Sequence, residues 1–234
     1  FTTGAYEDNH ALSDSYVEDA LADLQEMNYD QAMKKLDQAV TVDPTNSLAW
    51  STLAAVSIRQ DNLDLAIEQS KHAVELDKNN SDANYNLAYA LEERGDLDQA
   101  LDYYRSAISI DSSFTRAYSA LGNLLIEMDR SSEAITILKT SEQKTPQSDY
   151  LFLISKNLGK AHFYLQQYDS AISYLNHSLK TQTVEMPETW YYLGLCYHEM
   201  DDLNKRDEAL RHYITIEPDA QKKARAQAIL DAQK

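Results

Sequence analysis

The residues of this chain with the means to do chemistry are six histidines, one cysteine and a scatter of acidic pairs. The histidines stand at 10, 72, 162, 177, 198 and 212, and no two are four apart, so a zinc site would have to be assembled from distant segments. Solvated or half-packed imidazoles are the simpler expectation. Glu92 with Glu93, Asp201 with Asp202, and Asp129 with Glu133 have the composition of an acid and a base, yet helix ends and turns carry such pairs routinely. The sequence holds no Gly-rich phosphate loop, no G-x-S-x-G elbow and no H-E-x-x-H helix. No catalytic, cofactor-binding or metal-binding residue is expected, and the chain reads as a non-enzyme.

The elements that would position any site must be helices. Five glycines and four prolines in 234 residues are too few for long loops or many-stranded sheets. With 43% hydrophobic and 25% charged residues the chain has the composition of a globular protein large enough for a sizeable core. The longest apolar candidate, "YLFLISKNLGKAHFYL", is interrupted by Lys156 and Lys160, so direct membrane insertion is not expected. A formal net charge of −17 argues against nucleic acid and anionic lipid as partners. The single Cys196 fits a reducing compartment and equally a small-core protein from an oxidising one. The chain starts at Phe1 rather than Met, so a preceding piece is expected to have been processed away or left out. The balance favours the cytoplasm, with the periplasm or another extracytoplasmic space the alternative if a signal or anchor preceded Phe1.

The small residues recur. Ala32, Ala66, Ala100 and Ala134 form one series at 34-residue intervals; Ala20, Ala54, Ala88 and Gly122 form a second, and Ala39, Ala73, Ala107 and Ser141 a third. After a three-residue slip, Gly159, Ala171 and Ser178 take the same roles, and a sixth set carries Gly194 and Ala209. Such spacing is what paired helices impose, since small side chains let two helices approach and large ones fill the gap to the next pair. Turn residues agree: "QDN" at 60–62, "RGD" at 94–96 and "DPTN" at 43–46 fall where helices must stop and restart.

This pattern resembles the tetratricopeptide repeat. The aromatic of position 4 is present as Tyr16, Trp50, Tyr118 and Trp190. The Leu-Gly pair of positions 7 and 8 is met by Leu53-Ala54, Leu87-Ala88, Leu121-Gly122, Leu158-Gly159 and Leu193-Gly194, and Pro44 and Pro146 hold position 32. The resemblance implies an all-α, right-handed α-solenoid of about six helix-turn-helix repeats, at 13–46, 47–80, 81–114, 115–148, 152–185 and 187–218. Residues 1–12 form an N-terminal extension and 219–234 a C-terminal capping helix, with Ala224, Ala228 and Ile229 expected to face inward. In the first repeat Asp19 and Asp23 replace apolar residues, so its first helix is either shifted in register or a polar end cap. The sixth is read with three extra residues in the turn "DDLNKRD" and a shortened second helix. Tyr16, Tyr104, Tyr118 and Tyr213 fall in structural aromatic slots, and Cys196 in the packed interior.

In this family, positions 2, 5, 9, 12 and 13 of each first helix line a concave groove. Carried onto this sequence, they give a partner-binding stripe of Tyr85, Tyr89, Arg116, Asn123, Lys156, Lys160, Phe163 and Tyr191. Rings supply contact area at low entropy cost, and Lys156 and Lys160, one turn apart, would form a positive spot for an acid. Asn86 matches one position of the family's clamp for a chaperone's terminal carboxylate, but Ser51, Ala55, Arg116 and Ala120 break the rest. The implied function is a scaffold or adaptor that binds a protein or peptide segment. The alternatives are a self-assembling structural scaffold, and so a homo-oligomer, or a regulatory domain of a larger protein.

Overall fold

A computed structural model of the chain describes the backbone of residues 3–232 and the side chains of residues 8–232; residues 1–2 and 233–234, the ends of the expected N-terminal extension and capping helix, lie outside. The described residues form helices α1 (Thr3–Gln25), α2 (Tyr29–Val42), α3 (Ser47–Arg59), α4 (Leu63–Leu76), α5 (Ser81–Arg94), α6 (Leu97–Ile110) and α7 (Thr115–Glu127). They continue as α8 (Ser131–Lys144), α9 (Leu151–Tyr164), α10 (Tyr168–Thr181), α11 (Pro187–Glu199), α12 (Leu203–Ile216) and α13 (Ala220–Asp231). The fold is all-α. It falls into two compact units, 1–117 and 118–234, divided within α7. In the first, α1 lies against α2, α3 against α4 and α5 against α6, with α2 meeting α3 and α4 meeting α5. In the second, α9 pairs with α10 and α11 with α12; α8 meets α9, α10 meets α11, and α13 lies on α12.

Each hairpin turns through one residue in the left-handed region. Met27, Asp61, Gly95, Asp129, Gln166 and Asp201 all have φ between 58° and 91°, at spacings of 34, 34, 34, 37 and 35. Only one of these is glycine, so five L-residues hold a conformation that glycine adopts without steric cost.

The small residues do what their spacing predicts. Ala20, Ala54 and Ala88 are fully buried. At Gly122, Gly159 and Gly194 a Cβ would stand 2.5, 2.5 and 2.4 Å from Leu138, Leu175 and Leu210, so adding one would require the leucine on the second helix to shift. Neighbouring hairpins are also tied by a repeated polar staple. The Ser13 hydroxyl donates to the Ala39 carbonyl at 3.0 Å and accepts from the Asn46 amide at 2.9 Å, while Asn46 caps α3 by accepting from Ala49 N–H. The same arrangement returns with Ser47, Ala73 and Asn80, at 2.9 and 2.8 Å.

Three expectations are corrected. The register of α1 is unshifted: Val17 and Ala20 are buried with Leu36, Asp19 is exposed, and Asp23 is met by Lys35 at 2.8 Å. Helix α1 begins at Thr3. Next, α12 is a full 14 residues and its turn, Met200–Asp202, is as short as that at Gln60–Asn62. Counted from the left-handed residue, the slot of Ala32, Ala66, Ala100, Ala134 and Ala171 therefore holds Arg206, not Ala209. Arg206 is 1% exposed and donates from Nε and Nη2 to one oxygen, Oδ1, of Asp207 at 2.8 and 2.6 Å. Tyr213 likewise stands in the slot of Ala39, Ala73 and Ala107 rather than in that of Tyr104. It fits because the helix it meets, α13, offers the small Ala226. Finally, α13 buries Ala226 and Leu230 with Ile229 partly covered, whereas Ala224 and Ala228 are exposed. The large Leu230 gains most by leaving water and so sets the face.

Candidate functional site

In the first unit, α5 presents Tyr85 and Tyr89 half-buried. The Tyr85 ring lies 5.1 Å from Phe114 and 5.8 Å from Tyr104, and the exposed Arg116 places its guanidinium 5.6 Å from both the Tyr85 and the Phe114 ring centres. This is a cation–π cluster on which a ligand ring or apolar side chain could lie. Burial, helped by Glu93, pushes the Tyr89 hydroxyl above its ordinary range, so it is a neutral donor at physiological pH. Asn86 is not a ligand group: it is buried and its amide donates to the Ser51 carbonyl at 2.9 Å. In the second unit Asn157 repeats that bond to the Ser119 carbonyl, also at 2.9 Å.

The remaining expected residues fall in the second unit. Lys160 is buried and donates to Asn123 at 2.9 Å and to Glu188 at 3.0 Å; Lys156 reaches the other oxygen of Glu188 at 2.6 Å. Asn123 itself donates to Glu127 at 2.8 Å. The positive spot expected of Lys156 and Lys160 is thus already occupied by a carboxylate of the chain. Two ammonium groups this close on a partly dry face require one. Burial disfavours the Glu188 anion, but the two lysines overcome it and hold the carboxyl at about 2. Glu188 was missing from the expected stripe, although it stands at position 2 of its first helix, the position of Arg116.

Around this triad is a ring cluster. Phe163 lies 5.6 Å from Tyr164, 5.9 Å from Tyr168 and 5.4 Å from Tyr192. The Tyr164 and Tyr192 hydroxyls are 3.0 Å apart, and the Lys160 ammonium sits 5.7 Å from the Tyr192 ring centre. Tyr191 lies 5.8 Å from Tyr192 and 5.1 Å from Tyr213. Phe163 and Tyr191 are half-buried and Tyr164 is exposed, so part of each ring remains open. Tyr192, which the spacing did not single out, is the ring that joins α9 to α11.

Cys196 is fully buried, and burial pushes its thiol up to about 12, so it is no nucleophile. Among the described residues no group of three or more His, Cys, Asp or Glu is placed to hold a metal ion, and no helix is long and apolar enough to cross a membrane.

Models of the tetratricopeptide repeat match residues 71–102, 91–156, and 157–182 with 187–220. No curated protein matches the chain by sequence. Solved structures similar to it include Pseudomonas aeruginosa pilF, 18% identical over 94% of this chain and 99% of that one, with a TM-score of 0.78. The type IV pilus biogenesis factor PilW is 18% identical over 92% and 98%, also at 0.78. YrrB, a tetratricopeptide repeat protein with an unusual peptide-binding site, is 17% identical over 82% and 97%, at 0.60. At these identities the likeness carries the fold.

Proposed function

Because this chain belongs to the tetratricopeptide repeat family, we propose that it is a non-enzymatic scaffold that binds a segment of a partner protein on the faces of its first helices. The observation that carries this reading is the set of partly open rings on α9 and α11, Phe163, Tyr164 and Tyr191, around polar groups that the chain itself has paired. Rings supply the affinity in such a surface, and hydrogen-bonding groups at its rim fix register. Tyr85, Tyr89 and Arg116 offer a second surface of the same kind in the first unit. The favoured ligand is a segment with apolar or aromatic anchors. Lys156 and Lys160 act through Asn123 and Glu188, orienting the face, rather than as open cations. Two similar structures, a pilus biogenesis factor and a tetratricopeptide repeat protein with a peptide-binding site, support an interaction role.

The test is affinity capture of a partner followed by binding measurements on double variants. Phe163→Ala with Tyr191→Ala, and separately Tyr85→Ala with Tyr89→Ala, are compared with the parent, each checked for helicity by circular dichroism. At least one pair should weaken binding more than tenfold. If both bind like the parent while changes on exposed Leu12 and Leu21 of α1 abolish binding, the face is wrong. Concentration-dependent size in light scattering, lost with those same α1 changes, would instead establish self-assembly.

A further inference from the structure

Helix α13 is more than a cover for α12. Its buried pair, Ala226 and Leu230, seals Leu210, Tyr213 and Trp190, and this leaves Lys222 and Arg225 exposed on another face. These two stand at the rim of a cavity of about 570 Å³ between α11, α12 and α13, whose walls include Tyr191, Tyr192, Tyr213 and Glu217. The acids in that wall are engaged. Glu188 holds Lys156 and Lys160, and Glu217 accepts the Asp219 N–H at 3.0 Å and bonds the Tyr213 hydroxyl. Asp219, the acid nearest the cations, is turned to cap α13, accepting from Gln221 N–H at 2.7 Å and Lys222 N–H at 3.1 Å. Among the described residues no acid lies within ion-pair reach of Lys222 or Arg225. On a chain of formal net charge −17, two cations in no direct salt bridge, with Asp219 their electrostatic neighbour, over a tyrosine-lined cavity are unlike what the surface as a whole offers.

We propose that this cavity receives an acidic segment of a partner protein, with side-chain carboxylates on Lys222 and Arg225 and an adjacent aromatic or large apolar side chain against Tyr191 and Tyr213. The inference rests on the reading of the chain as a protein-binding scaffold, and it adds the partner's charge and the end of the chain where it docks. Arg225 can grip a carboxylate with two parallel N–H groups, while Lys222 acts as a point charge one turn earlier. The rings give contact area, and the cations give orientation and a faster encounter. A basic segment would meet the −17 field favourably everywhere and gain nothing from this pocket. An acidic one is disfavoured over most of the surface, which favours its docking here.

The experiment uses the full chain and two end-blocked peptides, acetyl-Glu-Asp-Phe-Glu-Asp-amide and acetyl-Gln-Asn-Phe-Gln-Asn-amide, titrated by NMR with Trp190 fluorescence as a second readout. The acidic peptide should bind at least tenfold more tightly, shift resonances of α11–α13, and weaken steeply from 50 to 500 mM salt. Lys222→Glu with Arg225→Glu should remove the tenfold preference, as should the milder Lys222→Gln with Arg225→Gln. Both sites are exposed, so melting temperature should stay at the parent value and certify the fold. Equal binding of the two peptides, no binding, or a preference that survives charge reversal would overturn the proposal. If the acidic peptide is lost only in Tyr85→Ala with Tyr89→Ala, the pocket is wrong and the scaffold reading stands. Self-association of the parent that charge reversal abolishes would also overturn it, placing a second copy of the chain in the cavity.

Discussion

The buried Lys160 ammonium meets the Glu188 carboxylate at 3.0 Å, joining α9 to α11 across 28 residues of sequence, and Lys156 closes on the same carboxylate at 2.6 Å. One anion therefore bridges two cations on the face where a partner is proposed to lie, and the triad keeps a net charge of +1.

That arrangement fixes a pH dependence. The Glu188 carboxyl is held at about 2, below the usual carboxylate range near 4.3, so its contribution is fully present above about pH 4.5 and is lost as pH falls through about 2. Glu188→Gln should lower the melting temperature at pH 7 and leave Lys160 buried beside a like charge. The gap between parent and variant should stay constant from pH 7 to 5 and close between about 4.5 and 2. A gap that does not narrow in acid would show that the triad is not ionised as described.

Gly122→Ala should destabilise the chain even though alanine is the better helix former by about 1 kcal/mol. The added Cβ would stand 2.5 Å from Leu138, so this fully buried side chain must shift, at a cost of about 1–3 kcal/mol. Leu138→Ala alone removes a core leucine. Combined with Gly122→Ala it should cost less than the sum of the two, and strict additivity in urea melts would contradict the contact.

Gln166→Gly should act in the opposite direction. Gln166 is exposed with φ 58°, so it gains nothing from burial and carries the left-handed strain. Relief of roughly 1 kcal/mol, less what glycine's freedom returns to the unfolded chain, predicts a higher urea midpoint at unchanged slope. Gly95→Ala, at φ 91°, should lower the midpoint.

Leu230→Ala should cost about 2–4 kcal/mol, because it uncovers Leu210 and Tyr213, whereas Ala228→Ser should change stability by less than about 0.5 kcal/mol. Ending the chain at Pro218 should promote aggregation, since Trp190, Tyr191 and Ile214 lose the same cover. Equal effects at the two positions would restore the register in which Ala224 and Ala228 face inward.

The repeat, the all-α fold and the faces carrying Tyr85, Tyr89, Phe163 and Tyr191 were legible in the sequence, because a helix places residues three and four apart on one side regardless of its neighbours. The buried fate of Ala20, Ala54 and Ala88 followed from the same periodicity. What spacing could not decide was which polar groups meet between helices. Glu188 pairs with lysines 28 and 32 residues away, and whether those lysines are open or engaged depends on how α9 and α11 are stacked. The last hairpin misled for a related reason. Arg206 and Tyr213 stand in slots that are small in the other hairpins, so the small-residue spacing alone implies three extra turn residues that this hairpin does not have. A small residue is required only where another helix comes close. At the end of the array the neighbour is α13, which brings Ala226 against Tyr213, and only the packed helices reveal that a tyrosine fits there.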